Sequence, residues 1–392
     1  MKLLFYRYGS ICEPDIIATF REFGFDITEI TVEITNKSFT PEEGVRLVGQ
    51  TLQDHPHDFV FSINFYPFLA EVCNIMHLRY LCWIVDSPVL ELYSPALLHP
   101  WNRIFLFDRA LYEEIAPRNP DCVFYLPLAA NTAQKQQTIA ASGSQFRQHF
   151  QSDISFVGSL YSEKCPYRQL SNPPAYLEGY LRGLIEAQLN VYGYYFVDEL
   201  LDDQMVATFK SHVTDFPSLP YADAQTDLAV VSQYYIASKI TSLERERLLG
   251  ALSERFSVDL YTGSDTSALP AIHPKGFAKT MTEMPLIFHE SRINLNMTAK
   301  SIRSALPLRV WDILGCGGFL LTNYQSEIPA YFNVGEELDT YGSQDELLEK
   351  CAYYLEHENR RAEIAAAGFE KVQRYHTYPQ RLGELMELAF LN

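Results

Sequence analysis

Several things are scarce in this sequence, and each scarcity closes off a class of protein. No Cys-x-x-Cys pair occurs, and the seven cysteines (Cys12, Cys73, Cys82, Cys122, Cys165, Cys316 and Cys351) are odd in number and scattered over 392 residues. That pattern excludes a disulfide framework or a zinc knuckle and points to buried thiols in a reducing, cytoplasmic setting. Long apolar runs are missing as well. Residues 80–85 and 104–107 fall far short of the roughly 20 residues a membrane-spanning helix needs, and residues 1–5 are too few for a signal-peptide core. No transmembrane segment and no export are expected. Positive charge is sparse: 31 Lys and Arg stand against 49 Asp and Glu, a formal net charge of -18. Such a balance opposes generic binding to nucleic acid or anionic lipid, whose phosphates need a cationic face. Any anionic ligand must be held by a local cluster of donors. Internal repeats and low-complexity tracts are also lacking.

What is present suits a folded protein of two domains, because 392 residues exceed what one core usually supports and 47% of them are hydrophobic. Residues 2–6, 26–32, 58–63, 80–85, 103–107 and 122–126 are apolar, strand-length runs with helix-length stretches between most of them. Continuous rather than alternating hydrophobicity predicts a parallel sheet covered on both faces, an α/β domain over residues 1–148. A Gln/Ser-rich stretch, 134–152, is the linker candidate. The strand pattern restarts at 154–157, and residues 166–255 read as a mostly helical insertion. Strands follow at 258–261, 292–296 and 318–322, with helices at 307–314 and 345–356. Ser343 and Glu346 form a capping-box pattern before the last of these. The second α/β domain is assigned to 149–377, leaving 378–392 as a final helix.

In open α/β sheets ligands bind beyond the carboxyl ends of the strands, which directs attention to the loop between Asn296 and Pro307. Pro307 suits the first turn of a helix, whose free amides and positive dipole end make a ready anion site. Lys300, Arg303 and Arg309 cluster around this helix start, as a diphosphate would require; a solvated basic face accounts for the same three charges. Asp312, further along the helix, is placed to accept from ribose hydroxyls, or else to cap a neighbouring loop. Gly315, Gly317 and Gly318 read as the turn into the next strand.

At these residues the sequence resembles a known family. The run SIRSALPLRVWDILGCGGFLLTN, the helix ELLEKCAYYLEHENRRAEIAAAG and then HTYPQRL are similar to the C-terminal half of the CgeB-like glycosyltransferases, which belong with the group 1 glycosyltransferases. The stretches YLCWIVDSPV, IFLFDRALY and FYLPLAAN resemble the domain of unknown function that precedes it in bacterial members. The resemblance implies a GT-B fold: two Rossmann-like domains facing a central cleft, the final helix packing back on the first. It implies transfer of a sugar from a nucleotide-sugar donor to a carbohydrate or glycoconjugate acceptor, in bacterial glycan biosynthesis.

On the donor side it adds Gly158, Thr262 and Gly263, with residues 273–277 near the nucleobase. Group 1 enzymes commonly carry two glutamates separated by seven residues; at that spacing this chain has Ser304 and Asp312. Asp312 preserves a carboxylate for the ribose. Ser304 is uncharged, so inversion or retention of configuration stays open. On the acceptor side the resemblance points to Tyr8, Ser10, Asn64 and Tyr66, and to Asp86 as general base, although a turn-forming Asp is the other reading of Asp-Ser-Pro. No Asp-x-Asp sequence occurs, and metal independence is therefore expected. Asp108 and His289 adjoin apolar runs, where satisfied polar residues are common, and are not counted as catalysts. A nucleotide-sugar epimerase of the same architecture and a catalytically degenerate nucleotide-sugar-binding scaffold are the alternatives.

Overall fold

The computed structural model describes residues 1–217 and 219–390, and the chain divides into two compact units: Met1–Ala129 with His376–Asn392, and Ala130–Tyr375. The first unit is built on six parallel strands, β1 (Lys2–Tyr6), β2 (Asp26–Ile30), β3 (Phe59–Ile63), β4 (Arg79–Trp83), β5 (Asn102–Leu106) and β6 (Val123–Tyr125), in the order β2-β1-β3-β4-β5-β6. Each apolar run of the sequence becomes one of these strands. β3, FVFSI, is buried at every position, as a central strand covered on both faces must be. The run read as 80–85 leaves the ladder after Trp83, because the Asn64 side chain accepts from the Val85 and Asp86 amides at 3.1 and 3.3 Å.

The helix Tyr378–Phe390 belongs to this first unit, packed against the helix Glu13–Glu22. Tyr378 meets Trp83 edge to face at 6.1 Å, Phe390 meets Phe59 at 5.6 Å, and Arg79 lies over the Phe390 ring. At the other junction the chain changes unit at Ala129–Ala130, earlier than the polar stretch 134–152 suggested. The reason is local. That stretch forms the helix Thr132–Ala141, which buries Ile139 and Lys135 and packs on the helix Met284–Glu290 of the second unit.

The second unit holds β7 (Ser152–Val157), β8 (Val258–Tyr261), β9 (His273–Pro274), β10 (Ser291–Asn296), β11 (Leu320–Asn323) and β12 (Asp339–Tyr341). All pair in parallel, in the order β12-β11-β10-β7-β8-β9. Ile154, Leu260, Ile293 and Leu321 fill the sheet's core. The helical insertion lies between β7 and β8 and includes the helices Ala175–Leu189 and Ala237–Ser253. Two details of the sequence reading shift. Pro307 is the residue before the helix Leu308–Gly315 rather than its first turn. Ser343 does cap the helix Gln344–Glu356, accepting from the Glu346 amide at 3.1 Å, but Glu346 turns back to the Gly342 amide instead of Ser343's own.

The helix Leu308–Gly315 is seated by close packing against the helix Glu358–Tyr375. A Cβ on Gly368 would lie 2.2 Å from the Glu337 carbonyl oxygen and 2.9 Å from a Leu314 methyl. Gly183, in the helix Ala175–Leu189, has no neighbouring atom within 4 Å of such a Cβ. Gly368→Ala is therefore expected to destabilise by about 1–3 kcal/mol through overpacking. Gly183→Ala is expected to stabilise by roughly 0.5–1 kcal/mol by removing unfolded-chain freedom. Thermal melts of the two variants, shifted in opposite directions from wild type, check both.

Candidate functional site

Strand order places the site. In the second sheet β8 lies on one side of β7 and β10 on the other, so the loops leaving the carboxyl ends of β7 and β10 diverge and open a crevice between them. Gly158 ends β7, its amide donating to the Tyr261 carbonyl at 3.0 Å. A Cβ there would press the Phe156 ring at 3.3 Å and reach Arg245 Nη1 at 3.8 Å. Thr262 follows β8 and is buried; its hydroxyl accepts from the Ser264 amide at 3.0 Å, and Ser264 Oγ accepts from the Leu160 amide at 2.8 Å, tying the β8 loop to the β7 loop. Gly263 faces open space.

Arg245, on the helix Ala237–Ser253, spans the crevice's floor. It donates to the Ser159 carbonyl at 2.5 Å and the Met297 carbonyl at 2.6 Å, one bond to each diverging loop. Its guanidinium lies over Phe156 and Tyr161, and its Nε has no hydrogen-bond partner among the described residues. Burial pulls its pKa down. Arg309, in the first turn of the helix Leu308–Gly315, lies over Phe288, with Nη1 3.8 Å from the Met284 sulfur and 3.9 Å from Asp312 Oδ2. Desolvation pulls it down too, opposed by the Asp312 charge and furthered by that of Arg245. The N-cap residue of this helix, Pro307, supplies no side-chain cap. Two desolvated cations that repel one another beside an uncapped helix start make a place where an anion is favoured.

The other predicted cations are held elsewhere. Lys300 leaves the helix start: its ammonium pairs with Glu244 at 2.7 Å and lies over the Tyr192 ring. Arg303 pairs with Asp198 at 3.4 Å. Asp312 is in the site, but Lys135 Nζ stands 2.9 Å from its Oδ1, leaving Oδ2 on the Arg309 side. Ser304 Oγ donates to the buried Glu327 at 2.6 Å, and Gln325 donates to the Ile302 and Ala305 carbonyls, so the segment after β11 clamps the loop ahead of the helix. Residues His273–Pro274 form the edge strand, and Phe277 beyond it is highly exposed.

The first unit repeats the arrangement. β2 and β3 flank β1, so the loops after β1 and β3 diverge, and the loop after β4 lies alongside. Tyr8, Asn64 and Asp86 converge there. The Tyr8 hydroxyl donates to Asp86 Oδ2 at 2.8 Å, the Asn64 amide to the same oxygen at 2.7 Å and to the Tyr8 hydroxyl at 3.2 Å. Burial first, and then the Asp86 charge, push the Tyr8 hydroxyl's pKa up. Asn64 sits at φ 59°, a left-handed conformation that Asn tolerates better than most side chains. Ser10 serves the loop: its amide, with those of Tyr8 and Gly9, donates to the fully buried Glu13 carboxylate, which also holds Arg7 at 2.8 Å. Tyr66 packs edge-on against Tyr6 and Phe68.

Sequence reasoning missed Arg245, Glu244, Lys135, Glu327 and Glu13. Arg245 and Glu244 lie in the run LERERL, whose charges read as a solvated helix face, and nothing local marks the others. Asp108 caps the helix Arg109–Ile115 through the Leu111 amide, and a ring nitrogen of His289 lies 3.1 Å from the Cys316 carbonyl. Among the described residues no helix is long and apolar enough to cross a membrane.

Residues 245–387 match a family model described as Glycosyl transferase-like. No curated protein sequence matches the chain. Among solved structures, a glycosyltransferase from Rickettsia africae ESF-5 is similar at TM-score 0.57 and 9% identity, covering 99% of this chain and 97% of its own. Anabaena Alr3699/HepE in complex with UDP and glucose is similar at TM-score 0.55 and 10% identity, covering 99% of each chain. A sucrose-phosphate synthase from Thermosynechococcus elongatus follows at 0.52 and 8%, covering 100% of this chain and 99% of its own. At these identities the likeness speaks for the fold. The chain is an α/β protein of GT-B architecture whose residues 245–387 match the Glycosyl transferase-like model.

Proposed function

We propose that the chain is a glycosyltransferase that takes a sugar from a nucleoside diphosphate sugar bound in the second unit and passes it to a hydroxyl of a carbohydrate or glycoconjugate acceptor. The observation that carries the reading is the pair Arg245 and Arg309, one guanidinium buried between the β7 and β10 loops and one partly buried in the first turn of the helix Leu308–Gly315, whose N-cap Pro307 offers no side-chain cap. A diphosphate supplies the negative charge that this pair lacks and accepts from the helix amides. The family match begins at Arg245 and includes Arg309, and one fold relative was solved with UDP and glucose.

In this reading the bond from the anomeric carbon to the diphosphate oxygen breaks, the arginines and helix amides hold the departing charge, and the acceptor oxygen bonds to that carbon. Asp312 Oδ2 accepts from a ribose hydroxyl. Gly158, Thr262 and Gly263 line the donor side, and Lys300, Arg303 and Ser304 act through the shape of their loop. On the acceptor side Asp86 takes the hydroxyl proton on Oδ1, since Tyr8 and Asn64 both donate to Oδ2 and so orient the carboxylate. Ser10 and Tyr66 shape the surrounding loops. The charge is neutralised by arginine, so no metal is required. A hexosyl or related sugar, a bacterial surface, spore or protein-linked glycan as acceptor, a cytoplasmic setting and a place among the CgeB-like enzymes complete the proposal.

Calorimetry with UDP, GDP, dTDP and CDP in the presence of EDTA tests the donor side. One nucleotide is expected to bind, and Arg245→Met and Arg309→Met are each expected to weaken it by at least about tenfold, the scale of a lost charge-assisted bond. Binding by none of the four would sink the reading, and binding that needs a divalent cation would remove metal independence. With that donor and a glycan panel, Asp86→Asn is expected to lower the transfer rate by about 100-fold or more while leaving the nucleotide's Kd unchanged. Full activity in that variant would exclude Asp86 as the base. Epimerised donor with no acceptor present would favour an epimerase, and binding with no turnover a scaffold.

A further inference from the structure

The helical insertion between β7 and β8 carries aromatic surface that the donor reading does not use. Tyr176 and Tyr180 stand one turn apart on the helix Ala175–Leu189, and Tyr176 is 71% exposed. Among the described large hydrophobic residues only Ile75 and Phe277 are more exposed. The two rings lie 6.2 Å apart at 30°, so they face nearly the same way without covering one another. The Tyr180 hydroxyl donates to the Leu200 carbonyl at 2.5 Å, which pins that ring, and the Leu200 side chain is itself exposed. One residue before Leu200, Glu199 accepts from the hydroxyl of Tyr194, 56% exposed. Exposed apolar residues scattered singly are ordinary, but these four are joined by a ring contact and two hydrogen bonds into one track.

Helical periodicity sets what flanks the rings. Gly179 and Gly183 fall beside the tyrosine line, and a Cβ at either would meet no atom within 4 Å, so no neighbour stands over the ring faces. Glu178 and Arg182 fall on the far side of the glycines, both exposed and of opposite charge. The result is a shallow trough with one aromatic wall and one wall of carboxylate and guanidinium groups.

These features separate the possible occupants. A polyanion or an anionic bilayer needs net positive charge, which neither this face nor a chain at -18 offers. A stable protein interface takes roughly 800 Å² from each partner, whereas a tyrosine supplies only about 150–250 Å² at complete burial and Tyr180 is partly covered already. A chain of neutral sugars needs less. Its C–H faces lie on aromatic rings, one sugar to a ring, and its hydroxyls both donate to a carboxylate and accept from a guanidinium.

We propose that this face of the insertion is a carbohydrate-binding surface for a neutral polysaccharide, laid along Tyr176 and Tyr180 and held apart from the nucleoside diphosphate site. It is read from its own side chains and does not depend on the donor reading.

Native affinity electrophoresis of the full chain tests it, in gels cast with dextran, soluble starch, mixed-linkage β-glucan or galactomannan, and with polygalacturonate as the charged control. At least one neutral polymer is expected to retard wild type. Tyr176→Ala is expected to weaken the apparent affinity by about tenfold or more, and Tyr176→Phe to keep it. The melting temperature and nucleotide Kd of Tyr176→Ala are expected to match wild type, since the side chain projects into solvent. Retardation by no neutral polymer, by polygalacturonate alone, or equally in Tyr176→Ala overturns the proposal. A wild-type dimer that Tyr176→Ala splits, seen by light scattering, overturns it too, because a second copy would then cover the face. Should wild type bind no nucleotide, the donor reading falls, while retardation and its loss in Tyr176→Ala still decide this one.

Discussion

The second unit depends on one buried cation. Arg245 donates to the Ser159 and Met297 carbonyls, one at the exit of β7 and one at the exit of β10. These are the neighbouring strands whose connections run in opposite directions across the sheet. A guanidinium with its fixed fork can bridge two such loops, and a lysine in its place could not make both bonds with the same geometry. Its desolvation is unfavourable taken alone, and its pKa falls accordingly. Negative charge placed beside it would offset what folding left uncompensated.

The first unit solves the analogous problem with the opposite charge. At its divergent loops the fixed group is the Glu13 carboxylate, fully buried and satisfied by three consecutive amides and Arg7. With that loop fixed, Tyr8 is presented toward Asp86, and Asn64 in its left-handed conformation holds Asp86 by its amide nitrogen and the Val85 and Asp86 amides by its oxygen. One side chain thus both ends β4 and orients the carboxylate beyond it. In each unit, then, one buried charged side chain fixes the loops at the point where the strand order diverges.

Sequence was informative where chemistry is local. Continuous apolar runs located β1, β3 and β8 nearly to the residue, since a strand covered on both faces needs no partner to be recognised. Tyr8, Asn64 and Asp86 could be singled out because each directly follows such a run, and strand order then brought them together. Long-range pairing was not legible. Nothing around Lys135 signals that it will lie against Asp312, or around Glu327 that Ser304 will donate to it. Spacing drew Lys300, Arg303 and Arg309 into one cluster, but side-chain direction separated them, with Lys300 turned to Glu244 and Arg303 to Asp198. Composition misled at 134–152, whose polar residues cover one face of a helix that buries Ile139 with the other.

The acidity of the chain bears on how the site works. With a net charge of -18, acidic side chains are available to most cations, and several are taken: Lys300 by Glu244, Arg303 by Asp198, Lys135 by Asp312, Arg7 by Glu13. A cation so paired adds little net field at a neighbouring ligand. Arg245 differs in kind, because its hydrogen bonds go to neutral carbonyls, and Arg309 differs in degree, with its nearest carboxylate oxygen 3.9 Å away and that carboxylate shared with Lys135. The field at this loop is therefore set by which arginines are left without a close carboxylate rather than by how many cations the sequence places near it. Arg245 lies where burial removes the water that would otherwise screen it, and Arg309 is partly shielded.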